Sequence, residues 1–250
     1  MAIKLKSKND IKIMRDSGRI AGHILRELGL ASKAGVSGND LDQIARKMLA
    51  EAKTKSAFLG HHGFPATITV SPNDAVVHGI PNDIPFQEGD IISLDFGTIY
   101  RGFVGDNAHT FGIGKISDAA ARLLRITEES LEIGIKAAVV GNTTGDIGHA
   151  IQSYVESHGY SVVRPLCGHG VGREMWEDPQ VPNYGNPGQG PKLKPGMTIA
   201  IEPMINAGHE DVKQDKDGWT YRTKDGSLSA HFEHSIAILS DGPEILTSPE

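Results

Sequence analysis

Apolar residues near the N-terminus recur every three or four positions. Ile11, Met14, Gly18, Ala21, Leu25 and Leu28 fall on one side of a helix. Ser7 or Asn9 is placed to cap its start, and Gly29 or Ala34-Gly35 to close it. A second helical face follows Ser37-Gly38: Leu41, Ile44, Ala45, Met48 and Leu49. The period then breaks. Residues 60–83, GHHGFPATITVSPNDAVVHGIPND, read as short strands and loops interrupted by Pro and Gly. Residues 93–111, SLDFGTIYRGFVGDNAHTF, read as two strands around a turn at Tyr100-Arg101-Gly102. After Ser117, a good N-cap, Ala120, Leu124, Thr127, Leu131 and Ile135 give a long helix that Gly141 ends. Thr144-Gly145-Asp146 leads into a fourth helix, with Ile147, Ala150, Ile151, Tyr154 and Val155 on one face.

These elements repeat. The faces of the second and fourth helices match position by position at a constant spacing of 106 residues, and Gly35 and Asp40 match Gly141 and Asp146 at the same spacing. EGDIISLD matches PGMTIAIE at 107, which pairs Gly89 with Gly196, Ile92 with Ile199 and Asp95 with Glu202. A period of about 110 residues occurring twice makes two halves and no solenoid. Each half is expected to be two helices followed by antiparallel strands. The pattern predicts an α+β fold in two layers, one domain over residues 1–250, with pseudo-two-fold halves at about 8–113 and 117–240.

Composition narrows the class. The chain has 250 residues, a formal charge of −6 and one cysteine, Cys167. The charge argues against a general nucleic-acid binder. A single cysteine permits no internal disulfide, and no apolar run approaches a bilayer's width. The first residues are charged and lack an apolar signal region. A soluble, cytoplasmic, monomeric protein is expected, with no DNA or membrane partner. Lys4, Lys6, Lys8 and Lys12 form a local basic cluster that suits a solvated start.

The candidate chemistry lies in the strands. Asp95 and Asp106 sit in the predicted hairpin. A turn at Tyr100-Arg101 puts them directly opposite; a shift of one residue makes them diagonal. Either way they share a face. Facing carboxylates repel unless they share a proton, are solvated at an edge or hold a cation. The second half adds His169 in CGHGVG, Glu202 at the end of the apolar run TIAIE, and Glu233 in AHFEHSIAI. Taken singly, each fits an ordinary core histidine or a paired strand acid. Together, four carboxylates and one imidazole suit two divalent first-row ions such as manganese, iron, cobalt or zinc. Two carboxylates must then bridge. Such a pair holds a bridging hydroxide and clamps a carbonyl oxygen, an arrangement for hydrolysis.

The Asp-x10-Asp pair, GHGVG, IEPM and FEHSI resemble the methionine aminopeptidases of bacterial type, over nearly the whole chain. The resemblance implies the pita-bread fold around a dinuclear metal centre. It implies that Asp95, Asp106, His169, Glu202 and Glu233 are the ligands, with Asp106 and Glu233 bridging. It makes Glu202 a proton shuttle and His78, in VVHGIP, a substrate-side hydrogen-bonding group. It implies removal of N-terminal methionine from nascent chains with a small second residue, with transient ribosome contact. By the same resemblance Phe58, His61, Phe64, Thr69, Met175 and Trp219 line the methionine pocket. His61 and Thr69 depart there from the commoner apolar pattern. The competing readings are an X-Pro peptidase relative, expected to need an added N-terminal domain, and a weakly active or non-catalytic peptide-binding homologue.

The second alternative draws on one departure. Where the family pattern after GHGVG carries a second substrate-side histidine, this chain has Trp176. An indole donates one hydrogen bond and cannot accept one or carry a proton. Trp176→His is therefore expected to raise kcat/KM on Met-Ala peptides by on the order of 10²-fold, the scale of one lost transition-state contact. An unchanged rate at equal metal content would show that this position does not limit turnover.

Overall fold

The computed structural model describes residues 2–248. Four α-helices carry the predicted faces. α1 spans Lys8–Ala31, α2 Gly38–Glu51, α3 Asp118–Ala137 and α4 Thr144–Ser157. Ser7 caps α1 and Ser117 caps α3. Ser37 with Asp40, and Thr143 with Asp146, form capping boxes at the starts of α2 and α4. In each box the hydroxyl accepts from the third helical N–H and the Asp side chain accepts from the cap N–H, satisfying two otherwise orphaned donors.

Two helix ends differ from expectation. Gly29 lies inside α1, because the Phe111 ring packs where its side chain would be. α3 ends at Ala137, before Gly141, because the Asn142 amide donates to the Ala137 carbonyl (2.9 Å) and draws the chain out of the helix.

The main sheet is antiparallel throughout and curled, with helices flanking it. Its strands are β1 (Lys55–Ser56), β2 (Thr69–Pro72), β3 (Ile91–Tyr100), β4 (Phe103–Gly112), β5 (Gly168–Gly170), β6 (Glu177–Val181), β7 (Thr198–Ile201), β8 (Glu233–Leu239) and β9 (Gly242–Ile245). They run in the order β1-β3-β4-β8-β7-β5-β6, with β2 also on β3 and β9 on β8. Two three-stranded sheets complete the strands among the described residues. This is the predicted α+β, pita-bread architecture.

One apolar core lies between α1, α2 and β3, and includes Leu25, Leu28, Leu41, Leu94 and Phe96. A second lies between α3, α4, β7 and β8, and includes Leu131, Ile151, Ile199 and Ile236. Gly35 and Gly141 precede α2 and α4 with φ of 89° and 96°. No helix among the described residues is long and apolar enough to cross a membrane.

The β3–β4 turn is Arg101-Gly102, one residue later than a Tyr100-Arg101 turn. Both residues have positive φ, 50° and 78°, as a two-residue type I′ turn requires. The hairpin is seated on α1 by close approach. A Cβ on Gly105 would lie 2.6 Å from the Gly18 nitrogen. Beside that contact the Ser17 hydroxyl donates to the Phe103 carbonyl (3.0 Å), and the Thr98 hydroxyl to the Ser17 carbonyl (3.0 Å).

The basic N-terminal cluster is smaller than expected. The Lys6 side chain is buried and paired with Glu177 of β6 at 2.5 Å, so it staples the N-terminal segment to the sheet edge and presents little charge to solvent.

Gly105→Ala forces α1 off the hairpin. The expected loss is about 1–3 kcal/mol of stability, the usual range for overpacking. Denaturant unfolding measures it, and an unchanged midpoint would show that the helix–hairpin contact yields freely.

Candidate metal centre and its cavity

The register of the central strands aligns the acids. β3 against β4 pairs Asp95 with Ala108 and Gly97 with Asp106; β8 against β4 pairs Glu233 with Ala108. Asp95 and Glu233 thus flank the small Ala108 in one row, and Asp106 stands two residues along β4 on the same face. The two aspartates are diagonal neighbours. The hairpin keeps them so because its turn ends on Gly102. β2 extends the row by pairing Thr69 with Asp95.

Glu202 follows the last residue of β7, and the pairing of His234 with Ile201 carries it level with Glu233. His169 lies in β5, and its side chain is only 12% exposed. Its Nε2 is 3.7 Å from Asp106 Oδ2 and 3.5 Å from Glu202 Oε1. Ligand atoms of Asp106, His169 and Glu233 all lie within 4.8 Å of one another.

Electrostatics decide what this cluster can hold. Burial, then repulsion from Asp106 and Glu202, pushes Asp95 well above the usual carboxylate range. Burial raises Asp106 to about 7. Burial and then Asp106 raise Glu202, and burial with all three other acids raises Glu233. Burial lowers His169 to about 4, so its ring is neutral at pH 7. The Gly170 carbonyl accepts from His169 Nδ1 (2.9 Å), which leaves the Nε2 lone pair facing the acids. A lone pair turned toward carboxylate oxygens is repulsive unless a proton or a metal cation lies between them. One oxygen each of Asp95, Asp106 and Glu233 is buried without a hydrogen-bond partner. This oxygen-rich donor set with one imidazole fits hard or borderline divalent ions. The five residues read from sequence converge here.

The cluster lines part of a cavity of about 590 Å³. The cavity wall includes Phe58, His61, Phe64, Thr69, His78, Met175, Trp176 and Trp219. His78 sits in it with φ of +60°, a conformation that costs a non-glycine residue about 1–3 kcal/mol and that tends to mark functional sites. Burial lowers its pKa to about 4. The next residue must be glycine, because a Cβ there would strike the Val70 carbonyl, and the Val70 N–H donates to the Gly79 carbonyl (2.8 Å). Gly97 performs a similar service: its missing side chain leaves room for Met175 Cε and Asp106 Oδ1. Phe64 meets Trp219 edge-on at 5.1 Å and Phe58 at 6.4 Å. Trp176 is 46% exposed at the rim and stacks on His62.

His231 is a site residue that the sequence reading did not single out. It is fully buried, and its Nε2 lies 3.6 Å from Glu202 Oε2. Burial and then His78 lower its pKa to about 3. Its place in AHFEHS, two residues before Glu233, was the available signal. Tyr221, Gln180 and Gln214 also line the cavity and were not foreseen.

Residues 12–240 match metallopeptidase family M24. The chain is 51% identical over 246 residues to a methionine aminopeptidase of Clostridium acetobutylicum, covering 98% of each chain. Among solved structures it is similar to methionine aminopeptidases of Thermotoga maritima (TM-score 0.97, 43% identity, 99% of this chain and 100% of that one) and Rickettsia prowazekii (TM-score 0.97, 41% identity, 98% and 100%).

Asp106→Asn and Glu233→Gln each remove one negative charge from the converging set at nearly constant shape. Each is expected to weaken cobalt or manganese binding at least about tenfold. Metal titration by calorimetry checks this, with circular dichroism confirming an intact fold. Unaltered affinity in both variants would place the ions elsewhere.

Proposed function

The chain belongs to metallopeptidase family M24, and from that premise we propose that it removes N-terminal methionine from peptides and nascent polypeptides whose second residue is small. The observation that carries this reading is the meeting of a buried acid–imidazole cluster and an aromatic, thioether-lined cavity in one space. Aromatic rings and a methionine suit an unbranched sulfur side chain. The likeness to methionine aminopeptidases over essentially the whole chain favours this reading over an X-Pro peptidase or a non-catalytic homologue.

In this reading Asp95, Asp106, His169, Glu202 and Glu233 would hold two divalent ions. When bound, such a pair supplies a nucleophilic water at neutral pH and polarises the scissile carbonyl. Glu202 takes a proton from the attacking water on its carboxylate and delivers it to the departing amine nitrogen. His231, beside Glu202, presents a neutral ring whose Nε2 is close enough to offer that carboxylate a donor. His78 is neutral at pH 7, so its N–H donates to the developing negative charge on the carbonyl oxygen. The strained backbone at His78 fixes that donor before substrate arrives. The aromatic wall excludes water from the methionine side chain.

The same reading takes the two helix-and-strand halves, about 8–113 and 117–240, as one catalytic domain. It leaves Lys4, Lys8 and Lys12 for any ribosomal contact.

Met-Ala-Ser incubated with manganese, cobalt, iron or zinc is expected to release methionine. The same peptide in chelator, and X-Pro peptides with metal, are expected to be left intact. Bound metal without methionine release from any small-second-residue peptide would overturn the assignment.

A further inference from the structure

The Glu202 carboxylate lies between two imidazoles. Its Oε1 is 3.5 Å from His169 Nε2, within the acid cluster, and its Oε2 is 3.6 Å from His231 Nε2. The two rings thus meet opposite oxygens of one side chain. His231 is fully buried and is no part of the cavity wall. Its backbone is fastened on two sides. The Thr110 hydroxyl of β4 accepts from the His231 N–H (2.9 Å) and donates to the His231 carbonyl (2.8 Å). Thr110 shares the β4 face that carries Asp106. On the other side His231 pairs with Met204, two residues after Glu202, and the Phe232 N–H donates to the Pro203 carbonyl (3.4 Å). The Asn183 amide donates to the Glu202 carbonyl (2.9 Å). Ring and carboxylate therefore ride on backbones tied to each other and to the hairpin of the two aspartates.

Neither ring nitrogen of His231 has a hydrogen-bond partner. A buried polar group left so costs stability, and an apolar side chain of similar size would avoid that cost. The ring is neutral at pH 7, so it carries one N–H. A carboxylate that ligates a cation is ionised and can only accept. The nitrogen that faces it must then be the protonated one, because a second lone pair there would be repelled. A separation of 3.6 Å becomes a hydrogen bond with about half an ångström of side-chain movement, the kind of tightening that catalytic hydrogen bonds undergo when a site is occupied.

We infer that His231 is the positioning residue of Glu202: its Nε2–H donates to Oε2 and fixes the rotation of the carboxylate, so that Oε1 is presented to the cluster. The task assigned to Glu202 rests on the aminopeptidase reading above; its placement by His231 rests on the geometry. The terminal torsion of a glutamate is broad and roughly two-fold, so a carboxylate without this donor samples orientations that serve neither the ligand set nor the proton transfer. His231 acts through Glu202 and touches no substrate. Partners of metal ligands at this remove contribute about ten- to hundredfold in metal affinity or activity.

The test compares wild type with His231→Leu and His231→Met, which fill the space without a donor, and with His231→Gln, whose amide nitrogen can stand where Nε2 stands. In the two donorless variants, manganese titration by calorimetry is expected to show affinity at least about tenfold weaker. At saturating metal they are expected to lose at least about tenfold in kcat on Met-Ala-Ser, with KM within about threefold of wild type. His231→Gln is expected to bring affinity and kcat back to within about threefold. The visible spectrum of the cobalt-loaded protein, which reports ligand geometry, is expected to change in the donorless variants and to return in His231→Gln. In metal-free protein the donorless variants are expected to unfold in denaturant at no lower a midpoint than wild type, since an unpaired polar ring has been removed. A ring that merely fills space would give a lower midpoint and no rescue by glutamine. If neither donorless variant folds, nitrogen-15 NMR of the zinc-loaded wild type decides: a His231 ring protonated at Nε2 supports the inference, and one protonated at Nδ1 overturns it. Donorless variants with wild-type affinity and kcat, or a glutamine variant as impaired as they are, would overturn this inference and leave the aminopeptidase reading standing on wild-type cleavage of Met-Ala-Ser. A wild type that cleaves no methionyl peptide would overturn that reading, and the metal titrations would still decide the placement of Glu202.

Discussion

Four carboxylates and the lone pair of a neutral imidazole are buried together at the centre of the curled sheet, and their mutual repulsion is what the surrounding structure has to contain. Burial raises the proton affinity of Asp95, Asp106, Glu202 and Glu233, and neighbouring acids raise that of Asp95, Glu202 and Glu233 further. A chain without a use for this cluster would gain by replacing it with apolar residues, since paired or unpaired buried charge is rarely stabilising in itself. Divalent cations convert the repulsion into attraction and satisfy the orphaned oxygens. Metal binding and the local stability of the sheet centre are therefore linked, and the same place is where β8 joins the β3–β4 hairpin.

That join depends on small residues at chosen points. Ala108 separates Asp95 from Glu233 in their row. Gly97 keeps the space beside Asp106 open, and Gly79 lets the segment carrying His78 lie against β2. Gly105 lets α1 press directly on the hairpin that holds both aspartates. At each of the three glycines an added carbon would press on a neighbouring group. The helices and apolar cores supply the rigid frame on which those tolerances can be held.

Much of this was legible in the chain. Helix faces and caps are local: Ser7, Ser37 and Ser117 announce starts, and the spacing of Leu25, Leu28, Leu41 and Leu131 announces buried sides. Acids inside apolar strands stand out because burial would be costly without a purpose, which is how Glu202 and Glu233 could be found. The repeat supplied the pairing of Asp95 with Glu202. The hairpin register was not decided, because Tyr100-Arg101 and Arg101-Gly102 both place a glycine near the turn and only the φ of Arg101 separates them. Gly29 looked like a helix end because its partner, the Phe111 ring, is distant in sequence. His231 was missed for the same kind of reason: its meaning comes from Glu202, which arrives on another strand.

The central claim is that the buried acids and His169 hold a pair of divalent ions. Anomalous scattering from crystals of the protein grown with manganese tests it most directly. The account predicts two peaks about 3.5–4 Å apart, bounded by Asp95, Asp106, His169, Glu202 and Glu233. A crystal showing manganese only at other residues, or none in this cluster at saturating concentration, would contradict it.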